Sequence, residues 1–288
     1  MNQFWTNTIW YILLGLLSAG LFIYSFVKSK RRLFDLAFLQ AVIGSSYIAE
    51  ILIKVLFDAY VYKPKIHSNA YIDDLVGNMF SQHLSLPSAA LLIAVLQLRW
   101  YWFIVFSGIF SAIEVLFLYL NIYELRWWRV WYTGGVLLVY FFVIKYWRKI
   151  LLSSYSRILH YCTVFLHMVG ALFLLGAFFV PTGFVWFRLG IFPIDEKDMI
   201  VTYNLFVAVL ISYMLVFRIL KAGFIWNIIG VAVLYGVEYI MLKSGILLVK
   251  DGWFFIYTTV TNVSGFLLAA FADRFLWPEE IRGRYWLR

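Results

Sequence analysis

Apolar runs of ~20 residues recur along the chain, each long enough to cross the ~30 Å hydrocarbon layer of a membrane as a helix. In that medium every backbone N–H and C=O must find its partner within the chain, so only helices and closed barrels qualify. The runs are continuous rather than alternating, which argues against a β-barrel. Hydrophobic residues make up 64% of the chain and charged residues 14%, with a mean hydropathy of +0.86. The sequence therefore reads as a single integral membrane domain over 1–288. The fold class is all-α, a polytopic transmembrane bundle of about nine spans. Their approximate bounds are 7–27, 34–57, 74–98, 101–121, 130–147, 157–180, 199–219, 223–243 and 253–272. The basic cluster KSKRR follows the first run instead of preceding it, so that run reads as a retained helix and not a signal peptide.

Charge then sets an expected orientation. With nine spans, one set of loops carries eight basic residues and the other fifteen, while Lys54 falls inside a span. The acids Asp58, Asp73, Asp74, Glu124, Asp195, Glu196, Asp198 and Asp251 gather on the basic-poor side. The positive-inside rule puts the N-terminus outside and the C-terminus inside. The net charge of +9 is thereby topogenic. It calls for no nucleic-acid partner, and membrane lipids are the expected one.

Three glutamates lie within apolar runs, at Glu50, Glu114 and Glu238. A carboxylate in hydrocarbon costs several kcal/mol, so it is paired, protonated or facing a cavity. All three spans run in the same direction, and each glutamate falls roughly 20–27 Å beyond the inner end of its helix. Asn78, Gln82, His83, Asn204 and Asn262 are expected in the same outer layer, together with Thr133 and Thr258. Amides and hydroxyls of this kind commonly just bond across helices. Three acids at one depth point instead to a shared, outward-facing polar cavity. Lys54, four residues after Glu50, pairs with it on one helix face or snorkels outward. Pro87 frees a carbonyl one turn back and kinks its helix. His160 and His167 share a face, as packed histidines do more often than metal ligands.

An internal repeat is visible in YIAEILIK (47–54) and YGVEYIMLK (235–243), each preceded by Ile-Gly. It predicts one N-terminal helix followed by four parallel hairpins, 34–98, 101–147, 157–219 and 223–272. The motifs of zinc peptidases, P-loop nucleotide binding and CxxC redox centres are absent. No metal site and no cofactor are expected, and the single Cys162 excludes an intrachain disulfide. Trp277-Pro278-Glu279-Glu280 reads as an interfacial turn.

The segment DDLVGNMFSQHLSLPSAALLIAVLQL (73–98), and IYELRWWRVWYT (122–133) after Glu114, resemble uncharacterised multi-pass membrane proteins of spore-forming bacteria. The resemblance covers the first half of the chain and implies a bacterial plasma membrane. It carries no known activity and transfers no catalytic residue. The expected function is binding or transport of a small cation or polar solute through Glu50, Glu114, Glu238, His83, Asn78, Gln82, Asn204 and Asn262. A non-transporting sensor or scaffold, and an intramembrane enzyme acting on a lipid or isoprenoid, are the alternatives.

Overall fold

Each apolar run folds as a helix, because a helix satisfies its own backbone along its whole length. The computed structural model describes residues 4–154, 156–179 and 181–277. Helix α1 is Ile9–Lys28, led in by a π-helical turn at Phe4–Thr8. Helix α2 (Arg32–Glu50) runs on through a π-helical turn at Ile51–Leu56. Helices α3 (Ala70–Met79) and α4 (Leu86–Val95) are one rod, joined by a π-helical turn at Phe80–Ser85. The others are α5 (Tyr101–Tyr119), α6 (Val130–Ser153), α7 (Arg157–Phe179), α8 (Asp195–Ile219), α9 (Phe224–Lys243) and α10 (Phe254–Phe275). Among the described residues this gives nine rods, seven of them long and apolar enough to cross a membrane. Residues 278–280 of the expected interfacial turn lie outside the described residues.

Several boundaries differ from the sequence reading. The rod expected at 74–98 starts at Ala70, where the Asn69 side chain accepts from the Tyr71 and Ile72 amides and caps the helix. The helix expected at 199 starts at Asp195. Its first turn holds Asp195, Glu196 and Asp198, which the positive end of the helix dipole accommodates. Pro87 sits just beyond the wide turn at Phe80–Ser85, which takes up the distortion a proline imposes. The Gln82 carbonyl in that turn accepts from the Ser46 hydroxyl at 3.0 Å.

Two short antiparallel ladders lie outside the rods. Strand β1 (Tyr60–Tyr62) pairs with β2 (Tyr123–Leu125), and β3 (Val185–Phe187) pairs with β4 (Leu247–Val249). Each strand sits in a connection between rods, and side-chain contacts join the two ladder regions at one end of the bundle. Lys197 reaches Asp58 at 3.3 Å, and the Asn69 amide donates to Glu196 at 3.0 Å.

The second half repeats the local devices of the first, 124 or 125 residues further on. Left-handed backbone at Asp58, Lys65, Gln97 and Asn121 is matched at Gly183, Gly190, Lys221 and Gly245. The Asp73 carboxylate accepts from the amides of Lys65, Ile66 and His67. Asp198 accepts in the same way from Leu189, Gly190, Ile191 and Phe192. Asp35 and Arg148 form a buried two-pronged ion pair at 2.7 and 3.0 Å. At the corresponding positions His160 Nε2 meets Asp273 Oδ1 at 2.8 Å, with the acid now on the other helix. These features relate α2–α6 to α7–α10 and leave α1 outside the correspondence.

The halves meet where α2 crosses α7. A Cβ at Gly44 would lie 1.9 Å from the Leu166 carbonyl oxygen, and one at Gly170 would lie 2.1 Å from that of Gln40. Only glycine allows backbones this close, and close approach is a main source of helix association in lipid. Next to this crossing the His167 ring bonds the Ala37 carbonyl at 2.9 Å, so it serves packing.

Candidate functional site

A cavity of ≈ 1010 Å³ lies in the first half, with α7 contributing to its wall. Its polar residues come from α2, the wide turn at Phe80–Ser85 and the ladder, with Glu114 on α5 and Thr133 on α6. Glu50 ends α2 where the π-helical turn begins, and Gln82 projects from the turn at Phe80–Ser85. Such widened turns are common at functional sites because they rotate side chains off the regular helix register. Tyr60 of β1 donates to Glu50 Oε2 at 2.6 Å, and the Gln82 amide donates to the same oxygen at 3.1 Å. Burial, followed by the nearby Glu50 charge, pushes the Tyr60 phenol well above its ordinary value, so it stays a donor. Glu50 Oε1 is buried with no hydrogen-bond partner, and so are both oxygens of Glu114. Thr133, also in the lining, accepts from the Trp128 indole at 2.8 Å.

Aromatic rings close the ladder end of this space. Tyr11, Tyr60, Tyr62, Tyr123 and Trp128 line it and are all buried. Their rings meet mostly edge-on or tilted, with Tyr62 and Tyr123 5.0 Å apart and Tyr60 and Trp128 5.9 Å apart. Away from the ladder the lining turns apolar. Val139, Phe142, Val143, Tyr146 and Ile150 on α6, and Cys162 on α7, belong both to the cavity wall and to the exposed surface. The space therefore opens sideways along α6. At the ladder end, where the charge pattern places the expected outward-facing mouth, aromatic side chains line the space.

The expected site residues separate into three groups. Glu50, Gln82 and Glu114 line the cavity. Glu238 does not join them. It is fully buried in the second half, where the Asn262 amide donates to it at 2.9 Å. Tyr257 lies near it and packs with Phe179, Phe187 and Tyr203 into one core. His83 and Asn204 face a small separate void beside Tyr47 and Tyr203. The Asn204 amide donates to the Ile200 carbonyl of its own helix at 2.6 Å. Asn78 is buried and outside the cavity lining. A shared depth does not bring these groups together, because the second half packs solidly where the first stays open.

Lys54 also differs from expectation. It is buried, and it neither snorkels nor bonds Glu50. Its ammonium meets Asp74 Oδ2 at 2.9 Å. The π-helical turn over Ile51–Leu56 breaks the four-residue spacing that would have aligned Lys54 with Glu50. Asp74 also accepts from the Tyr62 amide at 2.7 Å, so this ion pair anchors β1 to the rod behind it.

The Asp35–Arg148 pair and the aromatic end were not recognised from the sequence. Asp35 stands alone in an apolar run beside a basic cluster, and that isolation was the available signal. Comparison with protein-family models, curated proteins and solved structures finds no match. Seven apolar helices support a multi-pass integral membrane protein.

Proposed function

We propose that the protein binds a membrane-borne amphiphile, its polar end beside Glu50 and Glu114 and its chain along α6. The carrying observation is one cavity with two chemistries. Its deep end holds carboxylates, and its wall along α6 is apolar and reaches the lipid-facing surface. A hydrated ion or small polar solute would gain nothing from such a wall, whereas an alkyl chain gains about 0.8 kcal/mol per buried CH₂. The size suits a lipid-like molecule, since ligand pockets run about 300–1,000 Å³.

The wider proposal is a nine-span chain made of one N-terminal helix and two copies of a four-helix unit. The first copy keeps its cavity and the second has filled its counterpart. Charge asymmetry supports the ladder end on the outer side, and the resemblance of the first half to proteins of spore-forming bacteria supports a bacterial plasma membrane.

The test is photo-crosslinking of the full chain in phosphatidylcholine nanodiscs with an alkyl-diazirine alcohol. Adducts should concentrate on residues 136–150 and 159–166, and excess unlabelled dodecanol should abolish them. Val139→Trp, which fills the groove, should remove them as well. Adducts spread evenly over the lipid-facing helices, with no competition, would refute the reading.

A further inference from the structure

We infer that the polar end of this cavity is built for a primary ammonium head group, so that the ligand class is a long-chain amine. The inference rests on the amphiphile reading above and adds the chemistry of the head. Glu50 and Glu114 both line the cavity. Three of their oxygens are buried without a partner in hydrogen-bonding geometry, Glu50 Oε1 and both oxygens of Glu114, with the Thr133 hydroxyl beside Glu114. Both glutamate side chains are more than nine-tenths buried, at 3% and 8% relative exposure. A buried acceptor without a partner calls for a donor, and Glu50 and Glu114, unlike Glu238, stand beside a space that can admit one.

Among the described residues, no basic side chain comes within ion-pair distance of Glu50 or Glu114, although the Lys54 charge lies near enough to act on Glu50. Lys54, the nearest in sequence, is held by Asp74. Tyr60 and Gln82 both donate to the other Glu50 oxygen, which fixes the carboxylate and leaves Oε1 without a partner. A primary ammonium brings three N–H donors and a positive charge to an end of the cavity where Glu50 and Glu114 both lie near Tyr123. The same end is walled by the rings of Tyr60, Tyr62, Tyr123 and Trp128, whose electron-rich faces favour a cation. A trimethylammonium would profit from the rings but offers no N–H. A fatty alcohol would offer a single donor and no charge. An anionic head would face two carboxylates.

Competition in the same crosslinking assay, at neutral pH in zwitterionic nanodiscs, separates these cases. Dodecylammonium should displace the alkyl-diazirine probe at concentrations about tenfold or more below dodecanol, because charge-assisted hydrogen bonds are roughly twice as strong as neutral ones. Dodecyltrimethylammonium should fall well behind dodecylammonium. The double variant Glu50→Gln, Glu114→Gln should lose the preference for the amine while still crosslinking in the groove. Glu238→Gln, outside the cavity, should keep it. Equal competition by dodecanol and dodecylammonium in the unaltered protein would overturn the ammonium assignment and leave the amphiphile reading standing. Equal competition by the trimethylammonium would overturn the role of the N–H donors. Failure of every dodecyl compound to compete would refute both inferences together.

Discussion

Replacing glycine by alanine should have opposite effects at two positions of this bundle, and the helix crossing supplies the reason. Alanine is intrinsically better than glycine inside a helix by about 0.5–1 kcal/mol. At Gly108, on α5, an added Cβ meets nothing within 4 Å. Gly108→Ala should therefore stabilise the protein by about that amount. Gly44→Ala carries the same intrinsic gain, but its methyl would lie 1.9 Å from the Leu166 carbonyl oxygen, where 3.0 Å is already closer than real contacts come. The α2 and α7 backbones would have to part by about 1 Å along the central contact of the molecule, and overpacking of this kind costs about 1–3 kcal/mol or more. The clash wins, with a net loss of the order of 1–2 kcal/mol. Thermal unfolding followed by tryptophan fluorescence, in one detergent at one scan rate, reads the difference. At about 2–4 °C per kcal/mol, Gly44→Ala should lower the midpoint by several degrees and Gly108→Ala should raise it slightly. Gly170→Ala should behave like Gly44→Ala, and the double variant should cost less than the sum, because both methyls wedge the same crossing. If Gly44→Ala proves as stable as Gly108→Ala, the helices do not cross as described.

Asp35→Asn should destabilise by about 3–5 kcal/mol, because it leaves Arg148 buried without its counter-charge. The double variant Asp35→His, Arg148→Asp should recover much of that loss, since it copies the His160–Asp273 arrangement; a double-mutant cycle in SDS-induced unfolding measures the coupling. Asp198→Ala should release the amides of residues 189–192, which now share one carboxylate, and amide hydrogen exchange there should accelerate with little change along α2. Glu124 bonds Lys63 across the first ladder, and this hydrogen bond, aided by the lysine charge, lowers its pKa below the ordinary value. A lowered carboxylate pKa gives stability that is present above its unfolded value of about 4.3 and fades as the pH falls through the folded value. Glu124→Gln should therefore flatten the acid limb of a stability profile slightly and leave neutral pH almost unchanged, as expected for an exposed pair.

Much of the fold was legible because lipid leaves a chain few options. Runs of this length and polarity must be helices, and the rods fall close to the expected segments. The misplaced starts at Ala70 and Asp195 share one cause: acids in a first helical turn looked like loop residues, although the helix dipole favours them there. The four-helix correspondence is carried by features other than those that suggest hairpins. Resemblance between YIAEILIK and YGVEYIMLK pointed to hairpins as the unit. The devices that recur at constant spacing are instead backbone turns, aspartate cradles and an ion pair whose residue types changed between copies. His160–Asp273 answers Asp35–Arg148 in geometry but not in letters, so residue matching could not find it.

The sequence by itself determined the solvent, the secondary structure and the presence of buried acids that need an explanation, because these follow from transfer free energies and backbone bonding. Glu50, Gln82 and Glu114 were chosen on those grounds and do line one cavity. Tertiary packing alone decided which acids share a space. Glu114 and Glu238 sit at corresponding places in the two halves, yet one faces a cavity and the other a filled core. Depth in a membrane is a single coordinate, read from the distance to a helix end. Convergence also depends on the direction each side chain points and on what fills the space between helices, and both are set by residues far away in the chain, such as Gly44 and Gly170.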